Sequence, residues 1–154
     1  MRDIGRRGVL AGVTGLAVTL AGCQSDPPDR RPELVEQYHR AQENVVASNR
    51  NLEDGKRLLD GEEPELAGPA FTMARTQATD AGDRFARASA MAAGLGYESV
   101  VRDAEAGQAV ARTLGSCSDT WFEYSERGGR EPTCEDVNWA GLADVAEVRS
   151  AVGL

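Results

Sequence analysis

Three successive segments carry apolar or small residues at alternating steps of three and four, and that spacing restricts the chain to helices packed side by side. In the first, Leu34, Tyr38, Ala41, Val45, Ser48, Leu52, Gly55 and Leu59 form the seam, widened by Val35, Val46 and Leu58. In the second, Phe71, Ala74, Ala78, Ala81, Phe85, Ala88, Ala92 and Leu95 keep the same register. Most of these are alanine, so this helix can approach its neighbours closely. The third has two adjoining seams. One is Val100, Ala104, Gly107, Ala111, Leu114, Ser118 and Trp121; the other is Val110, Leu114, Cys117, Trp121 and Tyr124.

The punctuation between the seams fits helix ends. Pro32-Glu33 opens the first helix, and Gly61-Glu62-Glu63-Pro64 makes the turn after it. Gly68-Pro69 suits the first turn of the second helix, because proline lacks a donor that would go unused there anyway. Gly94-Leu95-Gly96 stops it, and Gly128-Gly129 stops the third, which starts near Tyr97. Thr133-Cys134-Glu135-Asp136 resembles a capping box with Asp in the last position. From it we expect a shorter fourth helix carrying Val137, Leu142, Val145, Val148 and Val152, with a break near Gly141. No stretch alternates with period two, so no sheet is expected. The expected fold is all-α: an antiparallel up-down bundle of three long helices plus a shorter C-terminal helix, spanning residues 33–154.

The residues ahead of the bundle read as an address. Arg2, Arg6 and Arg7 precede Val9 to Leu20, 12 residues without a charge and too few to span a bilayer. Arg6-Arg7-Gly8-Val9-Leu10 resembles the twin-arginine (Tat) export signal. It departs from the strict pattern at Val9, where Phe is usual, and at Ala11, where Lys is common. Leu20-Ala21-Gly22-Cys23 is similar to the lipobox of prokaryotic lipoproteins. That resemblance implies cleavage before Cys23 and a lipid thioether on its sulfur, so residues 1–22 would be a signal peptide. Residues 23–32 would form a lipidated, proline-rich tether. Its three prolines make it semi-rigid, with a reach of about 25–30 Å.

Charge narrows the partners. The leader holds three of the 17 basic and one of the 25 acidic residues, leaving a mature chain near −10. Such a surface repels nucleic acid and anionic lipid headgroups. Lys56 is the only lysine. That skew, with the acidic excess and the leader, resembles haloarchaeal proteins, though Gram-positive bacteria of high genomic GC share the arginine bias. With Cys23 assigned to lipid, Cys117 and Cys134 remain, and an even pair in an exported domain reads as a disulfide rather than two buried thiols.

Catalytic and cofactor motifs are not found. Glu36, His39 and Glu43 share one helix face and are weak metal candidates, because His39 is the only histidine and a second Glu-x-x-His is lacking. Gly115-Ser116-Cys117-Ser118-Asp119 lacks the closing glycine and preceding strand of a nucleophile elbow. Trp121, Phe122, Tyr124 and Trp139 are four of the eight aromatic residues and mark either a capped core around the cysteines or a ligand or partner patch. The expectation is a non-enzymatic, extracytoplasmic lipoprotein anchored to the cell membrane through Cys23. It would carry no cofactor and meet a protein partner at the cell surface. A small-ligand or metal-binding lipoprotein is the alternative.

Overall fold

The computed structural model describes residues 28–154, and these residues fold into four α-helices with no strand among them. The signal residues Arg6 and Arg7 and the lipobox cysteine Cys23 lie outside the described residues. Helix α1 runs Arg31–Asp60, α2 Ala67–Leu95, α3 Glu98–Arg127 and α4 Val145–Ala151. One 3-10 turn, Pro64–Leu66, leads into α2; another, Trp139–Gly141, lies ahead of α4.

The seams become the core. Leu34, Tyr38, Ala41, Val45, Ser48, Leu52 and Gly55 are buried on α1, and α2 buries Phe71, Ala74, Ala78, Ala81, Phe85, Ala88 and Ala92. Both expected seams of α3 are buried as far as Trp121. Of the last seam positions of these helices, Leu59 is partly buried and Leu95 is exposed. Their helices end within two residues, where the stripe runs out. The buried serines are satisfied: the Ser48 hydroxyl donates to the Ala74 carbonyl at 2.7 Å, and that of Ser118 to Leu114 at 2.8 Å.

Between α1 and α2, Tyr38 meets Phe85 edge-on, Asn51 donates to Gln77 at 2.6 Å, and Gly55 faces the Phe71 ring. Between α2 and α3, Phe85 faces Gly107, Phe71 lies against Trp121, and Arg75 is paired with Asp119. Helix α2 ends on Gly96, whose φ of +81° is the left-handed conformation that a side chain disfavours.

The C-terminal region differs from expectation. Residues 128–138 are irregular, and the box at Thr133 to Asp136 does not start a helix. The helix begins at Asp144 instead. Its carboxylate accepts from the Glu147 backbone N–H at 2.8 Å, and the Glu147 carboxylate accepts from the Asp144 N–H at 3.0 Å. Two ties fix the earlier segment against the bundle. Cys134 is bonded to Cys117 on α3, and further along the Ala143 carbonyl is held by Tyr38 Oη at 3.0 Å and Gln42 Nε2 at 3.3 Å. The tail therefore runs over α1 and α3 and closes the core with Val148 and Val152, both buried. At its end the Val152 carbonyl accepts from Arg31 Nη1 at 3.3 Å.

Candidate functional site

Among the described residues, the disulfide walls a broad groove. It has a volume of about 550 Å³. Helix α1 contributes Leu52, Glu53 and Lys56, α3 contributes Leu114, Cys117 and Trp121, and the tail contributes Pro132 to Val137 with Trp139. The two cysteines, 5.4 Å apart at Cα, tie the tail to α3 and so form one wall.

Lys56 Nζ sits 5.4 Å from the centre of the Trp121 ring and 2.8 Å from a Glu53 oxygen. A cation over the face of an indole is attracted by the ring quadrupole. The chain's only lysine thus covers the indole as a lid. Trp121 is only 8% exposed, and its Nε1 is buried without a hydrogen-bond partner. An unmet donor of this kind costs about 1–3 kcal/mol and is an open valence for an acceptor. Trp139, 41% exposed, offers the groove a free indole.

The four aromatic residues singled out from the sequence divide into two places. Trp121 and Tyr124 pack edge-to-face, with ring centres 5.6 Å apart, and Trp121 and Trp139 line the same groove. Phe122 lies apart, because one residue along a helix is a rotation of about 100°. It stands over Gly68 at the start of α2, in a separate groove of about 400 Å³ with Met73 and Glu126.

The Glu36, His39 and Glu43 trio is also placed. His39 Nε2 lies 3.6 Å from a Glu43 oxygen, while Glu36 turns to Arg40 at 2.6 Å. Among the described residues no group of three or more acidic, histidine or cysteine side chains is arranged to hold a metal ion. No helix among them is long and apolar enough to cross a membrane.

No protein-family model, no curated protein and no solved structure matches the chain.

Two features of the sites escaped the sequence reading. Lys56 drew notice only as a compositional oddity, though a lone lysine four residues after Leu52 of the seam lies on the seam's flank. Leu66, Pro69 and Met73 are spaced by three and four. That is a second, outward stripe on α2, hidden by the stronger inward one.

Proposed function

We propose that the chain is a membrane-anchored extracytoplasmic lipoprotein whose helical domain is a non-enzymatic interaction module. The long helices are read as antiparallel, up-down-up. Partner positions support this: as numbering rises along α1 through Tyr38, Ser48 and Gly55, the α2 partners fall through Phe85, Ala74 and Phe71. Across α2 and α3 the same inversion joins Phe71 to Trp121 and Phe85 to Gly107.

One observation carries the anchoring: the short proline-rich link between Cys23 and the fixed start of α1. Arg31 donates to the Asp29 carboxylate at 2.8–3.1 Å and reaches the Val152 carbonyl. These hydrogen bonds to Arg31 hold the Asp29 carboxyl down at about 2. A lipid on Cys23 would therefore hold the bundle at its Arg31 end and leave the α1–α2 turn facing outward. Replacing Cys23 by Ser should move the protein from the membrane to the soluble fraction; retention on membranes would overturn the anchor. Export through the twin-arginine route predicts that Arg6→Lys with Arg7→Lys keeps the chain in the cytoplasm.

A second reading is supported by the unpartnered Trp121 Nε1. A small ligand with a hydrogen-bond acceptor, entering the groove as Lys56 swings aside, would satisfy that donor and lie against Trp139. Tryptophan fluorescence during ligand screening tests this; a response lost in both Trp121→Phe and Trp139→Ala supports it, and a response that survives both variants opposes it.

A further inference from the structure

Seven large apolar side chains are exposed among the described residues, and three of them gather at one end of the α2–α3 pair. Phe122 is 37% exposed and Met73 53%, and both line the groove floored by Gly68. Leu66, 47% exposed, continues the stripe that Pro69 and Met73 make along α2. The other four, Val46, Leu95, Trp139 and Leu154, do not line this groove. Single exposed apolar residues are ordinary, but a contiguous group beside a groove marks a contact surface. The small Gly68 lets the approach be deep: an added Cβ there would already stand 3.7 Å from the Phe122 ring.

Charge selects the occupant. Glu126 lines the groove, and Glu65 flanks Leu66. Neither is in an ion pair among the described residues, whereas the nearby Arg75 is neutralised by Asp119 at 3.1 Å. Arg127 follows Glu126 but is turned about 100° around α3. The groove is therefore largely apolar with the Glu126 carboxylate on its lining, and Glu65 precedes the stripe on the chain. A second copy of this chain, with a net charge of −8, would bring like charge against these carboxylates.

We propose that the groove between Met73 and Phe122 is the docking surface for a basic amphipathic helix of a partner protein. From Leu66 to Thr76 the groove side of α2 is about 15 Å long, enough for roughly three turns of such a helix. Leucine-like side chains fill the space between Met73 and Phe122, and lysine or arginine side chains meet Glu65 and Glu126. The proposal deepens the interaction-module reading and rests on it for the partner's existence. It places the contact near the α1–α2 turn, at the end remote from Arg31.

The test titrates a fluorescein-labelled 14-residue leucine–lysine amphipathic peptide into the full chain, with a leucine–glutamate peptide as control. The lysine peptide should saturate at one per chain and bind at least tenfold more tightly than the control. Met73→Asp should weaken it tenfold or more. Glu65→Gln with Glu126→Gln should weaken it several-fold and flatten its salt dependence. Val46→Asp, at an isolated exposed position on α1, should leave it unchanged. Thr76→Arg, which sets a positive charge at the groove, repeats the test should Met73→Asp lose helicity by circular dichroism. Equal affinity for both peptides, parental affinity in the groove variants, or dimerisation of the chain in place of peptide binding would overturn the proposal. Membrane fractionation of Cys23→Ser is scored separately, so a failed anchor and a failed groove give different results.

Discussion

Phe71 and Phe85 are the two large side chains on the otherwise alanine-lined inner face of α2, and each faces a glycine on a neighbouring helix. Phe71 faces Gly55 of α1, and Phe85 faces Gly107 of α3. A Cβ at Gly107 would fall 2.6 Å from the Phe85 ring, closer than packed atoms approach. Gly82 is the contrast: its added Cβ would meet Ala111 Cβ at 3.8 Å, an ordinary contact. Helix propensity favours alanine over glycine by about 1 kcal/mol at both sites. Overpacking opposes that gain only at Gly107, by about 1–3 kcal/mol and more where the ring cannot move. Gly107→Ala should therefore lower the urea midpoint, with a net loss of up to about 2 kcal/mol. Gly82→Ala should raise it by about 0.5–1 kcal/mol. Equal shifts in the two variants would refute the slot. Both Gly55 and Gly107 sit at seam positions, so their burial was legible from spacing. Their pairing with phenylalanine was not, because periodicity within one helix says nothing about its register against the next.

At the scale of elements, α4 shows where spacing stops being informative. Seven residues are too few to hold a helix in water without outside support. Two boxes competed for its start, Thr133 to Asp136 and Asp144 to Glu147. The second has glutamate in the position that reaches back to the cap, and it is free of the disulfide that fixes Cys134. That constraint is tertiary, and no local pattern reports it. Asp144→Ala should cost about 1 kcal/mol and speed amide exchange in residues 147–152 before the long helices are affected. Uniform exchange across the chain would show that α4 does not open by itself. Helix α4 also meets a carboxylate on α3. Burial, and then the negative charge of Glu147, raise the Asp103 carboxyl above its ordinary value, with Arg102 opposing. The native state therefore keeps this proton to higher pH than the unfolded chain does. Stability from this site falls as pH rises from the ordinary aspartate range through the raised native value, and is level above it. Asp103→Asn should raise the melting temperature at pH 7 relative to the parent, and the gap should close below about pH 3.5. A gap independent of pH would assign the effect to packing instead.

Across the whole molecule, three long helices bury one another while the tail covers what they leave open between α1 and α3. The tail depends on a few ties: the disulfide at one end, the Ala143 carbonyl in the middle and the Val148–Val152 pair at the other. The helical class and most of the inward residues could be read in advance, because burial on one face repeats locally every three or four positions. The grooves could not, because each is made by elements distant in sequence: Lys56 meets Trp121 only when α1 and α3 are assembled. This arrangement predicts how the molecule responds to loss of its covalent link. The bridge spans 17 positions, and closing such a loop stabilises by roughly 3 kcal/mol in the chain-entropy model. Most of that effect bears on the segment from Gly128 to Val137, which has no helix of its own. In Cys117→Ala with Cys134→Ala, far-ultraviolet circular dichroism should stay close to the parent, because α1 to α3 keep their seams. The urea midpoint should fall by an amount equivalent to about 2–4 kcal/mol. Trypsin should cut at the exposed Arg130 well before it cuts within α1, and Trp139 emission should shift as the groove loses its wall. Reductant should reproduce these changes in the parent and add nothing in the double variant. A variant that loses its helices together with its tail would mean that the bridge supports the entire bundle, not the strap laid across it.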